Sequence, residues 1–211
     1  MLFSRREFAG GAFATGLLSL VSNADAEGSA SVAGGDEVLK RMKLTRRTVH
    51  VGLAKPFSVV HASDSHIVRV SAADLGVMDG VNFVQYDNGG FSDYLAPQQF
   101  EAVKAEFAKG LPVVLLCHMP FWSEAVGEEI LRTHKGLTKD RIDTGYVQGR
   151  PDKPNWGGRL EMTEWLRKQE QLKAVLCGHL HHDFTDDFSP TAKQYVAAAN
   201  YRGAVCRYDF V

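Results

Sequence analysis

Apolar residues along this chain recur in short runs that end on polar side chains. Residues 57–62, 111–117 and 174–177 are such runs. Bounded by Gly, Pro or Asp, runs of this length read as strands buried on both faces. Residues 48–53 and 81–87 add two more strands, the first joined to 57–62 around a turn at 54–56, the second closed by Asn88-Gly89-Gly90. A different period governs 97–109, where Phe100, Val103 and Phe107 share one helical face, Pro97 suits the first turn and Gly110 stops the helix. Met162, Trp165 and Leu166 mark a second helix over 160–168, and shorter ones are expected over 36–43 and 123–133. Residues 194–199 and 204–211 read as a terminal hairpin. Strand–helix–strand order of this kind predicts an α/β fold with parallel strands inside.

Three of the strands release imidazole or carboxylate at their C-terminal ends. The third run ends in Gly178-His179-Leu180-His181, the first leads to Asp64, Ser65 and His66, and the second to His118 and Pro120. Strand ends are where ligands collect in α/β proteins, and histidine is the commonest nitrogen ligand for transition metals. The common placement predicts a metal site built from Asp64, His66, His118, His179 and His181. His50, His61 and His134 lack that placement and read as structural or solvated. His182 would face away from His181 in an extended chain, as a polar neighbour or substrate contact. Residues 139–158, rich in Gly, Pro, Asp and Asn, leave from the His118 side and return before the last helix. That excursion either lies over the metal site or is a plain surface loop.

Composition narrows the setting. The formal net charge is −1 over 211 residues, which argues against a nucleic-acid partner. The three cysteines, Cys117, Cys177 and Cys206, read as small core residues, with a Cys117–Cys177 bridge open if their strands are neighbours. Ser4-Arg5-Arg6-Glu7-Phe8, an apolar run over 9–21 and Ala24-Asp25-Ala26 form the pattern of a twin-arginine signal peptide. The apolar run is too short for a stable membrane span. The expected organisation is a signal over 1–26, a leader over 27–45 containing the Gly/Ser/Ala stretch, and one domain over 46–211. The twin-arginine translocase is then a partner, and the product is periplasmic or secreted.

Asp64-Ser65-His66, His118 with Pro120, and Gly178-His179-Leu180-His181 together resemble the first, fourth and fifth signature blocks of the calcineurin-like metallophosphoesterases. The resemblance covers most of the domain. It implies a four-layer α/β/β/α sandwich and hydrolysis of phosphomonoesters or phosphodiesters by water activated between two divalent metal ions, Mn, Fe or Zn. It further implies that Asp64, His66 and His181 hold one ion, and His118 and His179 the other. The second and third blocks, Gly-Asp-x-x-Asp and Gly-Asn-His-Asp/Glu, have no match, and too few residues separate Ile67 from Val77 to hold them. The sandwich is therefore expected in truncated form, with an internal segment missing near 68–76. The bridging Asp, the Asn ligand and the substrate-side His of the family are lost with it, so no catalytic side chain is assigned.

The expectation that follows is one ion bound well, the second weakly, and turnover reduced or absent. Asp74, Asp79 and Asp87 are the available substitutes for the bridge. Two rivals remain: a non-catalytic, metal-binding remnant of the same family, and a metallo-β-lactamase-like hydrolase suggested by His179, His181 and Asp183. The latter motif requires a histidine where Phe184 stands.

Overall fold

The structure, a computed structural model, describes residues 17–18, 43–61, 74–86, 88, 97–142, 145–153 and 158–211. Two sheets stack to form its centre. The larger contains β4 (Asp74–Met78), β5 (Val81–Gln85), β6 (Val113–Leu116), β7 (Leu172–Cys177), β8 (Phe184–Asp187) and β9 (Lys193–Val196), in the order β4-β5-β6-β7-β9-β8. Its inner strands β5, β6, β7 and β9 run parallel, and β4 and β8 close the edges antiparallel. Three helices connect the inner strands: α1 (Pro97–Phe107), α2 (Glu124–Thr133) and α3 (Arg159–Arg167).

The smaller sheet is β1-β3-β10-β2, with β1 (Leu17–Leu18), β2 (Lys43–Val49), β3 (Phe57–His61) and β10 (Ala204–Phe210). The two-residue β1, within the apolar run read as an export signal, pairs antiparallel with β3. Alternation along the inner strands sorts side chains into two cores. Val84, Leu115 and Val175 face Val103, Phe107, Ile130, Met162 and Leu166 on the helices. Phe83, Val114 and Leu176 face Val59, Tyr208 and Phe210 of the smaller sheet, where Phe57 stacks on Phe210 at 5.1 Å. The layers are thus helix, sheet, sheet. The coarse α/β class holds. The expected fourth layer, over the outer face of the smaller sheet, has no counterpart among the described residues. That face carries Arg207, Asp209 and Ser58, joined by hydrogen bonds of 2.5 to 2.8 Å.

Several expected elements shift. Lys43 already belongs to β2, so the helix expected over 36–43 does not reach its last residue; residues 36–42 lie outside the described residues. β2 and β3 are not a hairpin, because β10 lies between them, parallel to β2 and antiparallel to β3. The terminal hairpin is also corrected: β9 pairs with β7 and β8, and the chain then crosses between sheets through a turn at Asn200–Arg202. The tight hairpins are β8–β9 and β4–β5. The latter turns on Asp79 and Gly80, both at positive φ, the conformation favoured by an Asp-Gly pair.

Ser123 caps α2, its hydroxyl accepting from the Val126 N–H at 3.0 Å and donating to Asp186 at 2.6 Å. Burial holds the Asp186 carboxyl above its ordinary range, offset by bonds from Ser123 and Gln194. Ser123→Ala should therefore cost about 1–3 kcal/mol in urea unfolding at neutral pH. A raised folded pKa means the ionised carboxylate opposes folding. Losing its donor raises that pKa further, so the deficit should shrink as pH falls and Asp186 protonates.

Candidate functional site

β6 and β7 lie side by side with Leu116 opposite Leu176. Two further hydrogen bonds carry the pairing past the strand ends: Cys117 N–H to Leu176 O and Gly178 N–H to His118 O, both 3.0 Å. His118 and His179 consequently leave the sheet together. His118 Nε2 and His179 Nδ1 are 2.9 Å apart, with the rings edge to face and their centroids separated by 4.8 Å. His179 Nε2 lies 2.7 Å from the Gly145 carbonyl oxygen. A carbonyl only accepts, so Nε2 carries a proton; in a neutral His179 ring Nδ1 then offers its lone pair, and His118 Nε2–H is the donor between the two rings.

The tetrad does not continue the strand. His179 and His181 adopt left-handed backbone conformations, with φ of 67° and 61°. Histidine enters this region more readily than most residues, though still at a cost. Leu180, buried in the helix-side core, anchors the turn between them. His181 Nδ1 is 2.8 Å from the Tyr201 hydroxyl, and the two rings meet edge to face at 5.2 Å. His182 is not a simple opposite face. Its Nδ1–H donates to Leu180 O at 2.8 Å, and Nε2 lies 3.4 Å from the Glu129 carboxylate, itself gripped by Arg132. Burial lowers the His182 pKa and keeps the ring neutral.

Asp64 and His66 lie outside the described residues. The strand leading to them, β3, ends at His61 opposite Cys206, and Cys206 lies shortly after the Tyr201 that touches His181. Of the five expected ligands, the structure brings His118 and His179 together and places His181 on the same turn. Among the described residues no group of three or more His, Cys, Asp or Glu side chains is arranged to hold a metal ion. The pair would suit one once His118 Nε2 gives up the proton it shares with His179: two metal–nitrogen bonds of about 2.0–2.1 Å at a tetrahedral angle place their nitrogens roughly 3.3 Å apart, and ligating imidazoles usually donate their other N–H to a carbonyl, carboxylate or water, as His179 does to Gly145.

Topology removes Asp79 as a bridge, because it precedes β5 at the sheet edge opposite His118. Asp74 begins β4 opposite Val84, on the His118 side; Asp87 lies outside the described residues. Asp183 accepts from Thr45 at 2.8 Å and from the Ala198 N–H at 3.2 Å, a structural role that weakens the metallo-β-lactamase rival. The cysteines are free buried thiols, with Cys177 and Cys206 pushed up by burial. His50 is exposed, His61 is buried, and His134 caps the end of α2.

The excursion over 139–158 does reach the site. Gln148 N–H donates to Pro120 O at 2.9 Å and Trp122 N–H to Gln148 O at 2.7 Å, so residues 145–150 run beside 120–122. Sequence reasoning missed Asn88, buried just past β5. Its Oδ1 accepts from the His118 and Met119 N–H groups, both at 2.8 Å. The signal was the same as for the histidines, a polar residue one step past a buried parallel strand, but the glycines behind it marked the stretch as a turn. Comparison with models of protein families and with curated proteins finds no match to this chain.

Gly149 holds this strip in place at φ 71°, where an added Cβ would lie 2.1 Å from Thr163 Oγ1. Gly149→Ala is expected to cost about 2–4 kcal/mol by urea denaturation, combining left-handed strain with overpacking.

Proposed function

We propose that this chain is a metal-dependent phosphoesterase of the calcineurin-like kind, in truncated form, exported by the twin-arginine route to the periplasm or beyond. The observation that carries the reading is the convergence of His118 Nε2 and His179 Nδ1 to 2.9 Å at adjacent parallel strand ends. His118 and His179 would hold one ion, and Asp64, His66 and His181 another, with Mn, Fe or Zn suited to such a nitrogen- and oxygen-rich set. Such an ion supplies Lewis acidity toward a phosphoryl group and activates water for attack. The chain's own part is orientation. The Gly145 carbonyl fixes the His179 tautomer with its lone pair inward, and Tyr201 holds His181 by Nδ1, so that this ring ligates through Nε2. No helix among the described residues is long and apolar enough to cross a membrane. A small phosphoester is the expected substrate.

The second reading, a metal-binding remnant without turnover, draws on the lack of any match to the Gly-Asp-x-x-Asp and Gly-Asn-His-Asp/Glu blocks, which removes the bridging Asp of the resembling family. Turnover separates the two. Full-length protein titrated with Mn²⁺ or Zn²⁺ should hold one ion tightly and a second at least tenfold more weakly. His179→Ala should weaken the second further, and nitrophenyl phosphate mono- or diesters should be cleaved slowly. Metal binding without cleavage favours the remnant. Failure to bind either ion, with neither ester cleaved, sinks both readings.

A further inference from the structure

One short strip of chain reaches both histidines, the ring of His179 directly and the backbone of His118 through Asn88. Gly145 presents its carbonyl to His179, and three residues later Gln148 presents its side-chain oxygen to Asn88, which grips the backbone of His118. We infer that Asn88 and Gln148 are positioning residues whose task is to set the separation of the His118 and His179 rings.

The hydrogen-bond logic leaves no freedom in the arrangement. Asn88 is 2% exposed and uses its full capacity: Oδ1 accepts from the His118 and Met119 N–H groups, and Nδ2 donates to Met119 O and Gln148 Oε1, each at 2.9 Å. Backbone N–H groups can only donate, so Asn88 must turn its oxygen toward them. Its amide nitrogen then requires an acceptor, which fixes the Gln148 oxygen in turn. The Tyr86 hydroxyl donates to the same Gln148 oxygen at 2.9 Å. Gln148 has no exposed surface, and its backbone is bonded on both sides to the stretch that follows His118. The strip is therefore a rigid gauge between the two rings.

Filling this volume needs only apolar side chains. Buried polar networks instead specify one geometry among several of similar packing. Here every polar atom of the Asn88 side chain is bonded, Gln148 Nε2 is left without a partner among the described residues, and the geometry specified is the backbone position of His118. The chemical purpose of that spacing rests on the metal reading proposed above; the positioning role can be tested without it.

The test uses full-length protein with ¹⁵N-labelled histidine. Ring ¹⁵N spectra of the metal-free protein report the His118–His179 hydrogen bond, and calorimetry with Mn²⁺ and Zn²⁺ reports affinity. Asn88→Leu should abolish the ring signature and weaken binding of the second ion, the one assigned to His118 and His179, tenfold or more. Should Asn88→Leu fail to fold, Gln148→Met is read on the same two measurements, with the losses expected of Asn88→Leu. A folded Asn88→Leu or Gln148→Met that keeps both ring signature and affinity overturns the proposal, as does a wild type whose two rings show no mutual hydrogen bond. Wild type that binds neither ion and cleaves neither ester removes both metal readings and leaves the positioning role standing, because the ring spectra still decide it.

Discussion

The parallel pairing of Val113–Leu116 with Leu172–Cys177 governs where the rest of the site sits. Parallel strands in register present their C-terminal ends along one edge. Residues at matching offsets beyond that edge must then emerge as neighbours however far apart they lie in the chain. His118 and His179 are 61 positions apart, yet their rings touch because the ladder continues one step past each strand, through Cys117 and Gly178. A slip of one residue would turn each side chain to the other face of the sheet. The buried character of both faces opposes that slip: Leu115 and Val175 belong to the helix-side core, while Val114 and Leu176 belong to the sheet-to-sheet core.

The same constraint explains how two histidines can sit in left-handed conformations. Such backbone geometry persists only where surrounding packing and hydrogen bonds over-determine it. Here Leu180 is fixed in the core between them, Gly145 and Tyr201 each hold one ring, and His182 is tied back to Leu180 O and faces Glu129 on α2. The turn has four separate anchors, drawn from the helix layer, the 145–150 strip and the crossover between sheets. Rigid placement of this kind suits a site that must meet a ligand with little reorganisation.

Much of this was legible from residue order, and the misses share a cause. The helical faces of Phe100, Val103 and Phe107, and of Met162 and Leu166, were readable because burial on one side imposes a period of 3.6. The strands carrying His118 and His179 were readable because double burial makes them continuously apolar. The terminal strands were misread as a hairpin because adjacency in sequence suggested pairing, whereas each sheet offered an interior place: β9 between β7 and β8, and β10 between β2 and β3. β8 escaped notice because Phe184, Thr185, Asp186 and Asp187 look polar, and the burial of Asp186 depends on Ser123 and Gln194, which lie elsewhere in the chain.

Residue order by itself determined that His118 and His179 leave the ends of buried strands, since strand length, apolar content and a terminal histidine are local properties. Only the tertiary structure decided that His118 and His179 are nearest neighbours, that His181 answers to Tyr201, and that Asn88 and Gln148 stand behind the pair. Those facts depend on strand order, on a turn of left-handed residues and on hydrogen bonds between segments far apart in the chain. No periodicity encodes them, because each contact becomes favourable only after the two sheets have closed over a shared core.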